Sequence, residues 1–247
     1  MKNKYLWWKN FFPGFFYDLQ KTLWTKEQTK AQADFLQKVL DLSKESETLD
    51  APCGDGRLAI ELAGRGFRIA GIDFCKKALR DAKAKSAGLN LNIEFKESDL
   101  RKIPWKGRFD SAFCFWGSFG YFDEKGNLES LKSISKSLKP NGNLLIDTFI
   151  AETILHNFGA RSSGKSKNLT FYEERKYNFE ESRIECVWTI KRENQLIANR
   201  KSSIRVYTYK ELVGLLRIAG FSRFKSYGSL NFEPLELGKR LYLIANK

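Results

Sequence analysis

The sequence predicts an α/β fold, a doubly wound and mostly parallel sheet of seven strands with an N-terminal helical segment and an inserted antiparallel β meander. Three observations predict it. Strand-like and helix-like stretches alternate between Glu47 and Phe149, which is the pattern of βαβ units. Polar and apolar residues then alternate in three stretches between Thr170 and Val206, which is typical of antiparallel strands. A helix and two closing strands follow.

The chain of 247 residues suits one domain that carries an insertion. We divide it into an N-terminal helical lid segment (1–45), a ligand-binding core (46–150), an inserted meander or cap (151–206) and a C-terminal helix with strands that complete the core sheet (207–247). Ligands of such sheets bind at the carboxyl ends of the strands. An insertion after the fifth strand is therefore expected to cover the ligand cleft.

The core elements are apolar runs that end at turn residues. Gly64, Gly88 and the Pro140-Asn141-Gly142 turn end three helices. The predicted strands are Glu47–Ala51, Phe67–Ile72, Leu91–Phe95, Phe109–Phe115 and Asn143–Phe149, and the predicted helices are Arg57–Ala63, Lys76–Ala87 and Glu124–Leu138.

The second half of the chain contains patterns that predict five strands and one helix. One interpretation of His156 makes it a surface residue in a mobile segment before Gly159, Ser162, Ser163 and Gly164. Thr208 and Glu211 have the spacing of a capping box at the start of a helix over 209–219. The predicted strands are Phe171–Phe179, Arg183–Lys191 and Leu196–Val206 in the meander, and Phe221–Tyr227 and Arg240–Ala245 at the end.

The N-terminal segment, helical over 7–42, holds a dense set of aromatic residues. Such residues pack on a core, or they form a lid that closes over a ligand and excludes water. Tyr17 and Trp24 are the better lid candidates. Stacking on single-stranded RNA is a third interpretation of aromatic residues among lysines.

Composition and charge limit the function classes. The formal net charge of +14 fits a nucleic-acid partner or a surface rich in lysine, and the lysines are spread along the chain. No stretch is long and apolar enough to span a membrane. With one histidine and four scattered cysteines, no metal site is expected, and free thiols indicate the cytoplasm.

The strongest motif is Asp50-Ala51-Pro52-Cys53-Gly54-Asp55-Gly56, a strand followed by a glycine-rich turn that opens a helix. Glycine lets the backbone turn tightly and approach a ligand. Asp73 ends the next strand, where a carboxylate can accept hydrogen bonds from both ribose hydroxyls. The motif predicts a nucleoside ligand, either a dinucleotide or S-adenosylmethionine.

Several motifs in order resemble those of class I S-adenosylmethionine-dependent methyltransferases, whose Rossmann-like fold agrees with the predicted one. They are the glycine-rich turn after Asp50, Gly71-Ile72-Asp73, Ser98-Asp99-Leu100, the strand that opens at Phe109-Asp110, Leu138-Lys139-Pro140-Asn141-Gly142, and Ala219-Gly220-Phe221. Asn141 replaces a glycine of the usual pattern. The resemblance covers 47–147 well and 207–247 more loosely.

The resemblance implies S-adenosylmethionine as the cofactor, bound by the core at 46–150. By analogy, Asp50 lies near the methionine amino group, while Gly54, Asp55 and Gly56 present backbone to the methionine part. Asp73 then holds the ribose, Phe74 lies against the adenine, and Asp99 accepts a hydrogen bond from the adenine amino group. Cys53, Ser98, Leu100 and Phe115 complete the predicted cofactor site.

The segment Phe115–Phe122 follows the fourth strand, where this family contacts its substrate. It lacks the N-P-P-Y or D-P-P-Y motif that is common in enzymes acting on base amines, and it resembles the S-F-G-Y-F segment of the small-molecule branch. We therefore expect methyl transfer to nitrogen or oxygen of a small molecule, with Tyr17, Trp24, Trp116 and Tyr121 in the substrate pocket. An RNA methyltransferase and a dinucleotide-binding oxidoreductase are the alternatives.

Catalysis by this family needs mainly positioning, because the sulfonium leaves as a neutral thioether. If the acceptor must lose a proton, His156 is one candidate base, since its ordinary pKa of ~6.5 suits neutral pH. Tyr121 is the other. A mechanism without any base is the alternative to both.

Overall fold

The computed structural model describes residues 4–166 and 168–247. Its strands are β1 Glu47–Asp50, β2 Arg68–Asp73, β3 Glu94–Glu97, β4 Phe109–Cys114, β5 Leu138–Thr148, β6 Arg161–Ser166, β7 Leu169–Asn178, β8 Arg183–Arg192, β9 Gln195–Arg205, β10 Arg223–Tyr227 and β11 Leu241–Asn246. Its α-helices are α1 Trp8–Phe11, α2 Phe15–Gln20, α3 Lys26–Val39, α4 Arg57–Gly64, α5 Lys76–Gly88, α6 Glu124–Ser137, α7 Ala151–Ile154 and α8 Tyr209–Ile218.

The central sheet has seven strands in the order β10-β11-β5-β4-β1-β2-β3. The neighbours from β5 to β3 are all parallel, whereas β11 runs antiparallel to both β5 and β10. The predicted fold class is therefore confirmed. The direction of winding reverses between β1 and β4, so a crevice forms at the carboxyl ends of these strands.

Both faces of the sheet are buried, because helices cover them. Leu144 and Ile146 of β5 face α6 and α8, while Leu145 faces α3, α4 and α5 on the other side. This alternation with a period of two is what a strand imposes on its side chains. It also explains why the core strands read as nearly continuous apolar runs.

Polar side chains fix the starts of the long helices. Thr208 and Glu211 form the predicted capping box of α8, and Thr25 with Gln28 forms a second one at α3. The Asp123 carboxylate accepts a hydrogen bond from the backbone of Gly126 at the start of α6. These caps hold α3 and α6 at fixed positions on opposite faces of the sheet.

The inserted part forms a four-stranded antiparallel sheet in the order β6-β7-β8-β9, one strand more than predicted. The added strand β6 follows the segment around His156 for which mobility was one interpretation. Its small polar side chains hide the alternation that marks β7 to β9. A Cβ at Gly164 would lie 2.3 Å from the Phe171 ring, so a glycine is needed where this ring crosses β6.

The inserted sheet packs on the N-terminal helices. The Trp188 ring of β8 lies 5.3 Å from that of Phe16, and Leu19 packs with Leu169 and Ile190. Helices α1 and α2 therefore lie between the inserted sheet and the core. The segment boundaries at 45, 150 and 206 stay a prediction, and residues 1–3 and 167 lie outside the described part of the chain.

Candidate active site

A cavity of about 500 Å³ lies at the carboxyl ends of β1, β2 and β4, beneath the N-terminal helices. Its volume is typical of small-molecule sites, which form at this kind of crevice. No described residue of the inserted sheet lines it. The inserted sheet therefore lies behind the helices that close the cavity, one layer further out than a cap in direct contact with the ligand.

Most of the residues predicted from the sequence line this cavity. Gly56 and His156 do not. Because no measurement assigns a role to any of these side chains, their roles stay predictions. The predicted residues that the fold brings together are Asp50, Cys53, Gly54, Asp55, Asp73, Phe74, Ser98, Asp99, Leu100 and Phe115 from the cofactor set, and Tyr17, Trp24, Trp116 and Tyr121 from the substrate set.

Asp73 is held in place by the backbone around it. Its Oδ2 accepts a hydrogen bond from the Gly54 N–H at 2.8 Å, and its Oδ1 accepts one from the Cys75 N–H at 2.8 Å. Burial raises the pKa of Asp73 to about 6, although these backbone donors oppose the shift. Gly54 has a φ of 56°, and a Cβ there would meet no atom within 4 Å. The glycine turn is thus open towards the cavity.

Asp50 is a buried acid at the end of β1, with only 2% of its surface exposed. Burial raises its pKa well above the ordinary range, and the charge of Arg57 only partly opposes this. No described cation forms an ion pair with it within 4 Å. A buried carboxylate in this position is stabilised by a cationic group, so the cavity is suited to a positively charged part of a ligand.

Gly56 does not line the cavity, but it lets the elements beside the cavity pack closely. A Cβ there would lie 2.9 Å from the Phe95 ring and 3.0 Å from the Ala82 Cβ, and its φ is 73°. The glycine therefore lets α4 pack closely on β3 and α5. Its place in the motif is explained by packing, whereas Gly54 faces the cavity.

Asp99 has a partner that the sequence analysis missed. Its Oδ2 accepts a hydrogen bond from Arg101 Nη2 at 2.6 Å, and its Oδ1 accepts from Arg101 Nε at 3.0 Å and from the Arg101 backbone at 2.9 Å. Burial opposes ionisation of Asp99, but the Arg101 contacts outweigh it and lower the pKa. The spacing of two residues does not by itself predict this pairing, because it depends on how the two side chains are directed within the short turn.

Two tryptophans that line the cavity contact each other. The rings of Trp24 and Trp116 contact edge to face at 5.1 Å, and the Arg57 guanidinium lies 4.4 Å from the Trp24 ring centre. Trp116 has a φ of 61°, a conformation that is unfavourable for a bulky residue. The backbone N–H of Trp116 donates to the buried Asp147 carboxylate at 2.7 Å, and Arg240 pairs with this carboxylate. These contacts hold the strained residue in place.

Helix α2 is fastened to α5 by polar contacts. The Tyr17 hydroxyl donates to Asp81 at 2.8 Å, and Lys21 donates to the same carboxylate at 3.0 Å. Lys77 pairs with Asp18 at 2.7 Å. Burial, and then the hydrogen bond to Asp81, raise the pKa of Tyr17. Polar side-chain contacts therefore hold α2 against α5 beside the cavity.

The two candidate bases lie in different surroundings. Tyr121 lines the cavity, 5.3 Å from the Trp7 ring and 5.4 Å from the Phe12 ring, and burial raises its pKa. It is therefore a neutral phenol near neutral pH. His156 is exposed just after α7, where it packs beside Gly238. The fold does not bring His156 to the cavity wall.

The described residues offer neither a cluster of metal ligands nor a helix that could span a membrane. Residues 4–166 and 168–247 contain no group of three or more His, Cys, Asp or Glu side chains that could hold a metal ion. In the same part of the chain, no helix is both long enough and apolar enough to cross a membrane.

Comparison with known proteins agrees with this geometry. A family model described as a methyltransferase domain matches residues 48–142, which hold β1 to β4, the glycine turn and both buried acids. Over these residues the chain is similar to a methyltransferase domain. Members of this family use S-adenosylmethionine as the methyl donor.

Two curated relatives match about half of this chain. The putative methyltransferase YqeM of Bacillus subtilis is 35% identical over 108 residues, which are 43% of each chain. A demethylmenaquinone methyltransferase of Staphylococcus epidermidis is 29% identical over 130 residues, 51% of this chain and 52% of its own. The chain thus spans about half or less of the length of the curated relatives that it matches.

Likeness to solved structures extends beyond the methyltransferase domain. The sugar N-methyltransferase KedS8 from Streptoalloteichus sp ATCC 53650 superposes with a TM-score of 0.72 and covers 95% of this chain and 94% of its own. Its sequence identity is 17%, so this likeness shows the fold alone. The inserted sheet and N-terminal helices therefore belong to an architecture that other methyltransferases share.

Proposed function

We propose that this chain binds S-adenosylmethionine and transfers its methyl group to a nitrogen or oxygen atom of a small molecule. The observation that carries the proposal is the pair of buried acids, Asp50 and Asp73, at the ends of neighbouring strands in the cavity of a methyltransferase domain. One acid suits a cationic group, and the other is oriented by backbone donors.

The residues present fit the cofactor. Asp50 would hold the methionine amino group, because this carboxylate has no described ion pair and is nearly inaccessible to water. Asp73 would accept the ribose hydroxyls, since both of its oxygens are already aimed by backbone N–H groups. The remaining predicted contacts are backbone of Gly54 and Asp55 for the methionine part, with Cys53 and Phe115 alongside, and Phe74, Ser98, Asp99 and Leu100 for the adenine.

When bound, the cofactor would supply an electrophilic methyl group on a sulfonium that leaves as a neutral thioether. The chain itself must then orient the acceptor and exclude water, and such positioning can account for ~7 to 11 kcal/mol of a barrier. Helices α1 and α2 close the cavity, and Tyr121 and Trp116 form walls beside it. We assign no proton transfer to Tyr121 or His156, whose roles as bases remain untested predictions.

A small acceptor agrees with the size of the cavity and with the aromatic side chains among its lining residues. The matched relatives point the same way, since one is named for demethylmenaquinone and a structural neighbour for a sugar amine. We do not favour an RNA acceptor, because residues of α1 and α2 and the contacting pair Trp24 and Trp116 line the cavity. We place the enzyme in the cytoplasm, since its four cysteines are free and buried.

The test is methyl transfer itself. The purified chain is incubated with radiolabelled S-adenosylmethionine and a panel of quinone precursors, catechols, amino sugars and total RNA. The proposal predicts label in a small molecule that gains one methyl group by mass spectrometry, and none in RNA. Label that appears in RNA and in no small molecule would contradict the proposed acceptor class.

A further inference from the structure

Arg183 is a buried cation at the start of β8, with 2% of its surface exposed. Its guanidinium donates to the Phe122 carbonyl at 2.9 Å and to the Gly120 carbonyl at 3.4 Å. It also donates to the Ser203 hydroxyl at 2.8 Å and to the Ser203 carbonyl. One side chain of the inserted sheet therefore joins that sheet to the loop after β4.

Burying the Arg183 guanidinium costs free energy unless other contacts compensate for its lost hydration. No described carboxylate forms an ion pair with Arg183 within 4 Å, and burial lowers its pKa. A buried charge is tolerated when hydrogen bonds satisfy all its donors. Here most of the donors go to main-chain carbonyls, so they fix the path of the backbone that carries those carbonyls.

The fixed backbone is a wall of the cavity. Tyr121 lies between Gly120 and Phe122, whose carbonyls Arg183 contacts, and both Tyr121 and Phe122 line the cavity. The same loop is pressed against β9: the Arg205 N–H donates to the Gly120 carbonyl at 2.8 Å. A Cβ at Gly120 would lie 2.3 Å from the Arg205 carbonyl, and its φ is 93°. Only a glycine permits this approach.

We propose that Arg183 is a positioning residue, through which the inserted sheet holds the Gly120–Phe122 loop and thereby places Tyr121 in the acceptor side of the cavity. This inference rests on the proposed function in so far as it assumes a methyl acceptor. The contacts of Arg183 do not depend on that function. It gives the inserted sheet a role in the site although no described residue of that sheet lines the cavity. Arg183 acts through Tyr121 and touches neither substrate nor cofactor.

A fluorine probe at Tyr121 tests the proposal. 3-Fluorotyrosine is placed at position 121 in the full chain, and the solvent isotope shift of its ¹⁹F signal between H₂O and D₂O reports its exposure. The shift is expected to be small in the parent protein and to rise towards that of the free amino acid in Arg183→Met. Arg183→Lys should give an intermediate value, because lysine can retain one of the carbonyl contacts.

Arg175→Met is the matched control. Arg175 lies on the neighbouring strand β7 and bonds to Gly159, Ser162 and Glu173, all within the inserted part. Its loss weakens that part without touching the loop after β4, so the ¹⁹F signal should stay parental. If Arg183→Met fails to fold, Gly120→Ala disturbs the same junction from the other side and should expose the probe.

The outcomes are separable. The affinity for S-adenosylhomocysteine should change by less than about twofold in Arg183→Met, because the buried acids lie on distant strands. No binding by the parent would overturn the proposed function but not the positioning role. A ¹⁹F shift in Arg183→Met or Gly120→Ala that equals the parent's, or one that Arg175→Met reproduces, would overturn the positioning role.

Discussion

Asp73 combines burial with an orientation set by the backbone, and this has a measurable consequence in the protein without ligand. Its pKa is raised by burial to about 6, so the folded chain holds a proton that the unfolded chain releases near its ordinary pKa of ~3.9. A raised carboxyl pKa means that its contribution to stability is lost as the pH rises through that window.

We therefore expect Asp73→Asn to remove a pH-dependent part of the stability. As the pH rises from 4 to 7, the free energy of unfolding of the variant should improve relative to the parent by roughly 3 kcal/mol or less. Urea unfolding of both proteins at several pH values measures this. A difference between the two proteins that stays constant over the whole range would show that Asp73 is not buried as described.

Individual residues also show which contacts the sequence predicts and which it does not. The order of motifs placed Asp50, Gly54 and Asp73 around one cavity, because the carboxyl ends of neighbouring parallel strands meet at one edge. The pairing of Arg101 with Asp99 depends on side-chain direction within a short turn, which no pattern of residue types gives. Arg183 could not be anticipated either, since its partners lie 61 and 63 positions away.

Among the elements, α2 is fastened to α5 beside the cavity, and we expect these contacts to control access to it. Asp81 accepts hydrogen bonds from both Tyr17 and Lys21, so Asp81→Ala removes two contacts at once. The loss of hydrogen bonds that involve a charge corresponds to ~1.5 to 3 kcal/mol. We expect S-adenosylhomocysteine to dissociate on the order of tenfold faster from this variant, as measured by stopped-flow fluorescence.

The control for this experiment is Asp34→Ala. Asp34 pairs with Arg65 on the surface of α3 and has no contact with α2. Exposed pairs of this kind contribute at most ~1 kcal/mol to stability. Equal dissociation rates in Asp81→Ala and the parent would mean that α2 does not gate the cavity.

Strand β6 is the one strand of the inserted sheet that the sequence did not predict, and its pairing with β7 can be tested. A side chain at Gly164 would collide with Phe171, so Gly164→Val should destabilise the inserted sheet by ~1 to 3 kcal/mol through overpacking. Hydrogen exchange should speed up in β6 and β7 and stay unchanged in β1 and β2. Unchanged exchange throughout would imply that β6 is not paired with β7 in solution.

For the molecule as a whole, the sequence predicted the central sheet, the N-terminal helical segment and the inserted antiparallel sheet, but not how the two outer parts pack on each other. Long βαβ units have strong periodic signals and a single favoured handedness, so their order leaves few alternative topologies. The relation between the inserted sheet and the N-terminal helices rests on contacts such as Trp188 with Phe16, which join distant parts of the chain. Apolar patterning shows that such residues are buried, but it does not show against which partner.

The central claim is that the cavity binds S-adenosylmethionine through Asp50 and Asp73, and isothermal titration calorimetry tests it most directly. The parent, Asp73→Ala and the control Glu97→Ala, altered at the exposed end of β3, are titrated with S-adenosylhomocysteine and with NAD. We predict binding of S-adenosylhomocysteine but not NAD by the parent and the control, and a loss of ~1 to 3 kcal/mol in Asp73→Ala. Binding of NAD alone, or equal affinities for S-adenosylhomocysteine in Asp73→Ala and the parent, would contradict the claim.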